Sequence, residues 1–94
     1  MPQNTTIASA AGAWTLLTDA DVTSITFQNT SSQFVIIKGT TNTTAPTTKD
    51  GALRYNPGQG ERAVTLIDLF PGVSGVKRLW VFSNDTASVV VSHA

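Results

Sequence analysis

The chain has 94 residues, no cysteine and one histidine, and its six basic and six acidic side chains cancel. A chain of this size makes one small domain, here without disulfide or cysteine-zinc support, so oligomerisation or docking on a larger body is the help left to it. No basic block is present, which argues against a nucleic-acid partner, and no apolar run approaches membrane-spanning length, so no membrane is expected either.

Only 13% of the residues are charged. The polarity comes from Thr, Ser, Asn and Gln instead, and such a surface suits close contact with another protein because little charge has to be desolvated. The start, MPQNTTIASAAGAW, has neither a charged n-region nor an apolar h-region, so it does not read as a signal peptide. Residues 1–12 are small and polar around an isolated Ile7. They read as a flexible arm ahead of a single β-domain over 13–94, an arm that can order on a neighbouring subunit.

After the arm the pattern is one of short strands. Trp14 to Leu17 is the first. Val22 to Asn29 alternates, with Thr23, Ile25 and Phe27 on one face and Ser24, Thr26 and Gln28 on the other, as a half-buried antiparallel strand does. Phe34 to Ile37 is apolar on both faces, which suits a central strand or one that faces a partner. Thr40 to Thr48 is a polar loop, and Gly51 to Tyr55 is another short strand. Arg62 to Ile67 extends as a strand, or else Thr65 caps a single helical turn with Asp68 at its third position, and Pro71-Gly72 stops either one. Arg78 to Ser83 and Ser88 to His93 read as a hairpin turning at Asn84-Asp85, with Leu79 and Val81 opposite Trp80 and Phe82. About seven short strands with turn signals between them indicate an all-β fold, a small antiparallel β-sandwich or β-barrel.

Chemistry has few places to reside. Gly58-x-Gly60 lacks the third glycine of a dinucleotide fingerprint and the lysine of a phosphate loop, so Asn56-Pro57-Gly58 reads as a type II turn and the segment up to Gly72 as a rigid corner. Asp19 and Asp21 are too few oxygen ligands for calcium, which takes six to eight, and read as turn formers. His93 has no nucleophile at a recognisable spacing. No catalytic, cofactor-binding or metal-ligating residue is assigned, no cofactor is expected, and the chain reads as a non-enzyme. The Asn-x-Ser/Thr matches at Asn4, Asn29, Asn42 and Asn84 are expected by chance in a Thr-rich chain. Candidate interface residues are Ile7, Trp14, Tyr55, Glu61 and Arg62, with Trp14 and Tyr55 as aromatic anchors near the surface and Trp80 in the core.

The order APTTKDGALRYNPGQGE, an apolar strand, LFPGVSG and a tryptophan-containing hairpin ending in VSHA resembles the small all-β structural proteins of tailed bacteriophages. The motif positions are Ala45-Pro46, Gly51, Asn56-Pro57-Gly58 and Gly60-Glu61, and the resemblance covers roughly residues 14–94. It implies a virion component, a capsid decoration (cement) protein on the capsid surface, made in the bacterial host cytoplasm. Its partners would be the major capsid protein and neighbouring copies of itself, as a homotrimer or a lattice-bound oligomer. The alternative is a tail or head-fibre adhesin module that binds host carbohydrate through Trp14 and Tyr55.

Overall fold

The computed structural model describes residues 3–93. It is an antiparallel β-sandwich of two four-stranded sheets. In chain order the elements are β1 (Gln3–Ser9), β2 (Trp14–Leu16), β3 (Ser24–Asn29), β4 (Val35–Thr40), β5 (Leu53–Tyr55), β6 (Gly60–Thr65), α1 (Leu66–Leu69), β7 (Arg78–Phe82) and β8 (Ala87–His93). The first sheet runs β1-β8-β3-β6 and the second β2-β7-β4-β5. Among the described residues only β4 and β5 are neighbours both in sequence and in a sheet, so nearly every connection carries the chain from one sheet to the other.

The period-2 patterns become the core. Ile25 and Phe27 of β3, Val35 and Ile37 of β4, Leu79 and Val81 of β7, and Val89 and Val91 of β8 all point between the sheets, each 2% exposed or less. Burying an aliphatic side chain of this size contributes about 1.5–3 kcal/mol, and the two inner faces interdigitate as aligned sandwiches do. The outer face of the first sheet carries Ser88, Val90 and Ser92 of β8 beside Thr26 and Gln28 of β3, an uncharged surface.

Two sequence expectations need correction. Gln3–Ser9 is not a flexible arm: it pairs with β8 over its whole length, Gln3 opposite His93 and Ser9 opposite Ala87. The reason lies in the backbone. A strand need not be rich in apolar residues when its N–H and C=O groups join an existing ladder, and alternation still places Ile7 against the core and buries Ser9, whose Oγ shares a 3.0 Å hydrogen bond with Ser83 Oγ. Met1 and Pro2 of the expected arm lie outside the described residues. Nor are β7 and β8 a hairpin. They belong to different sheets, and Asn84-Asp85 lies on a crossover. Both strands are apolar and separated by turn residues, a pattern that a hairpin and a sheet-to-sheet crossover share. Among the described residues the strands number eight, one more than the approximate sequence count.

The Arg62–Ile67 alternatives turn out to be consecutive. β6 ends at Thr65, which takes an extended conformation (φ −78°, ψ 143°), and its Oγ1 accepts from Asp68 N at 3.3 Å to start the single turn α1. That turn brings Leu66 and Phe70 inward. Phe70 and Val76 then fill the space over β4 so closely that Gly39 admits no side chain: a Cβ there would lie 2.7 Å from Val76 Cγ2.

One buried side chain joins the sheets where the chain leaves the second for the first. Asn29, 1% exposed at the end of β3, donates from Nδ2 to Gln33 O (2.7 Å) and to Tyr55 O (3.1 Å). Its Oδ1 accepts from Ser31 N (3.0 Å) and Ser31 Oγ (2.6 Å). Its main chain grips the next turn, Asn29 N donating to Gln59 O and Gly58 N donating to Asn29 O. All four side-chain hydrogen bonds are made, so truncation strands several partners in a closed space. Asn29→Ala should therefore lower the unfolding free energy by roughly 2–3 kcal/mol in urea denaturation, while the exposed Asn84→Ala changes it by less than about 0.5 kcal/mol.

Candidate functional site

The Asn56–Gly72 corner is built as its turn residues dictate. Gln59 N donates to Asn56 O (3.0 Å) and Gly58 has φ +84°, which fits a type II turn with Pro57 ahead of the glycine. Gln28 Nε2 donates to Gly58 O and so ties the turn to β3. Gly60 lies against β3, where a Cβ would come within 2.0 Å of Phe27 O. A bulge follows: the β3–β6 register shifts between Ile25 and Phe27, and Ala63 takes φ +51°. Ala63 N donates to Thr26 Oγ1 at 2.9 Å, so a side chain takes over the lost ladder bond. Thr26, Gln28, Gly58, Gly60, Glu61 and Arg62 line an open groove of about 230 Å³ here.

The structure divides the five candidate interface residues. Tyr55 is buried, not near the surface as expected, because β5 pairs Tyr55 with the inward Val35 and turns its ring edge-on to Phe27 at 5.0 Å. Its hydroxyl donates to Glu61 Oε2 at 3.1 Å, so the two residues close the sandwich between the edge strands β5 and β6. Arg62 stands exposed on the bulge beside them. Ile7 lies half-buried against the core on the edge strand β1. Trp14 is on β2, at the edge of the second sheet opposite to β5. Three strand spacings, roughly 14 Å, separate those edges, so Trp14 and Tyr55 form no common platform.

The arrangement that sequence reasoning missed lies around Trp14. Register places Trp14 beside Phe82, Phe82 beside Ile36 and Ile36 beside Arg54, one row across the outer face of the second sheet. A parallel row holds Leu16, Trp80 and Lys38. Trp14 and Phe82 pack at 5.4 Å between ring centroids, and both remain half-exposed, as do Ile36 and Leu16. Cations border the row: Lys49 Nζ lies 4.3 Å above the Phe82 ring, and the Arg54 guanidinium 4.0 Å from the Phe34 ring. Two sequence signals pointed here, the two-sided apolar run at 34–37 and the alternation of Trp80 and Phe82 against Leu79 and Val81.

Trp80 is buried, yet on the outer side of its sheet and outside the main core cluster. Its Nε1 donates to Thr40 Oγ1 (2.8 Å), and Lys38 Nζ donates to Thr48 O (3.1 Å). The connection between β4 and β5 thus folds back over this face and takes Trp80 out of solvent.

Asp21 pairs with Arg78 (2.9 Å), whereas Asp19 lies 3.2 Å from His93 Nε2, so the two carboxylates take different partners and do not converge. Among the described residues no three of His, Cys, Asp and Glu gather to hold a metal ion, and no helix is long and apolar enough to cross a membrane. Asn29 is walled in, so its Asn-x-Ser match is no glycan acceptor in the folded chain. Compared with protein-family models, with curated proteins and with solved structures, the chain finds no match.

Tyr55 is the one tyrosine, which makes the closed edge measurable. Burial raises its phenol well above the ordinary 10.0, and the neighbouring Glu61 carboxylate adds to the rise by its charge and by accepting the hydroxyl hydrogen bond. A raised folded-state value means that the contribution to stability is fully present below the unfolded value of 10.0 and is lost as pH climbs toward the folded one. In spectrophotometric titration, phenolate absorbance should stay absent from the native protein above pH 10.0 and appear together with unfolding. Tyr55→Phe should remove that part of the alkaline loss of stability.

Proposed function

We propose that the chain is a non-enzymatic structural module that docks on a large protein lattice, a capsid decoration protein of a tailed bacteriophage. The observation that carries the reading is the half-exposed row of Trp14, Phe82, Ile36 and Arg54 on the outer face of the second sheet. Aromatic side chains with a bordering arginine are the composition of interface anchors, since they supply large contact area at low entropic cost. The outer sheet face presents them beside the β4–β5 connection that folds over it. The motif resemblance in residues 14–94 supplies the identity of that partner, the major capsid protein, with neighbouring copies alongside in a trimer or a lattice-bound oligomer.

The mechanism is mechanical. Interface area that exists only in the assembled shell favours that shell by mass action, so bound copies oppose outward pressure from packaged DNA. The protein is made in the bacterial cytoplasm and works on the virion surface. A carbohydrate-binding adhesin, the other reading, would have to act through Trp14 without Tyr55, whose ring faces the core.

Purified heads mixed with the protein should retain it through sedimentation and resist a higher temperature. Trp14→Ala and Phe82→Ala should each weaken binding about thirtyfold, the effect of a central anchor worth about 2 kcal/mol, with folding unchanged by circular dichroism. Heads that retain none of the wild-type protein, or gain no heat resistance from it, contradict the proposal.

A further inference from the structure

The four sheet edges are not alike. β2 and β5 have three residues each, too short to template a partner strand. β6 is interrupted by its bulge and carries Glu61 and Arg62, both devices that keep an edge from pairing. β1 has neither: it is seven residues long, runs in unbroken register with β8, and holds no charge, proline or bulge. No charged side chain occurs before Asp19. Thr5 shares the inward face of β1 with the half-buried Ile7, yet it is exposed. The edge is thus built as an interior strand without its neighbour.

We propose that β1 pairs antiparallel with β1 of a second copy, joining two first sheets into one continuous sheet about a two-fold axis through Thr6. Full overlap of Gln3–Ser9 with itself puts its middle residue, Thr6, opposite its own counterpart. Ile7 then lies beside the partner's Thr5, and Asn4 beside the partner's Ala8. Thr–Thr and Ile–Thr neighbours are favourable cross-strand pairs, and the absence of charge means that identical strands do not repel. A foreign strand would gain the same backbone bonds, but the symmetric fit is particular to a second copy. Seven paired residues supply less contact than the roughly 800 Å² per partner of a standard stable interface. The pairing is therefore weak in dilute solution and firm where copies are held side by side at effectively millimolar concentration. It joins copies pairwise, free or in adjacent oligomers, and stands independently of the capsid reading.

The chain has no cysteine, so single-cysteine variants report cleanly. Under mild oxidation Thr6→Cys should give a disulfide-linked dimer. Asn4→Cys and Ala8→Cys should not cross-link alone, because each lies about 13 Å from its own counterpart, but the two mixed together should. In sedimentation velocity the wild-type protein should self-associate on approach to about 1 mM, independently of salt. Thr6→Lys changes an exposed, outward side chain, so the fold is kept while like charges face each other; it should weaken association at least about tenfold. A wild-type protein that stays monomeric at every concentration overturns the proposal, as does cross-linking of Asn4→Cys alone or unchanged association of Thr6→Lys.

Discussion

The buried amide of Asn29 holds the two sheets in register where the chain crosses between them. β3 belongs to the first sheet and β5 to the second, and the chain must pass from β5 to β6 beside the end of β3. Asn29 bonds Tyr55 O across that gap while its own N–H and C=O hold Gln59 and Gly58. A side chain with two donors and an acceptor that takes two bonds is what such a junction needs, because every group it meets is main chain or hydroxyl. An apolar residue there would leave those groups unpaired in a closed space, and a carboxylate would face two carbonyls with no proton to offer.

With the crossing fixed, side chains pack the space between the sheets. Tyr55, Phe27 and Glu61 close the sandwich beside the junction, Phe70 and Val76 pack down on Gly39, and the inner faces are filled by aliphatic side chains. The two outer faces differ. One is hydroxyl- and amide-rich, with Arg62 at its β6 edge. The other carries aromatic rings and four of the chain's six Lys and Arg residues, Lys38, Lys49, Arg54 and Arg78. That difference between the faces is what the proposed contact role draws on.

Alternation made the strands legible, because a half-buried strand imprints its two faces directly on the sequence: Ile25 and Phe27 against Thr26 and Gln28 is the clearest case. The cap at Thr65 and the turn at Pro57-Gly58 were legible for the same local reason. Which strands pair was not. The crossover at Asn84-Asp85 carries the signals of a hairpin, since turn chemistry records that the chain reverses but not which sheet receives it. The strand at Gln3–Ser9 was hidden because its order comes from β8 and not from its own composition. Asn29 reads only as the end of an alternating strand, since four hydrogen bonds to distant and local groups leave no pattern in sequence. Tyr55 precedes a turn, a position that suggests the surface, whereas its register opposite Val35 points it inward.

Contact through the aromatic face can be read by hydroxyl-radical footprinting of the protein free and bound to purified heads. Trp14 and Phe82 should be oxidised readily in the free protein and be protected on the head, while the buried Tyr55 stays unreactive in both. Equal oxidation of Trp14 and Phe82 in the two states, with protection confined to the groove at Gly58–Arg62, would contradict it.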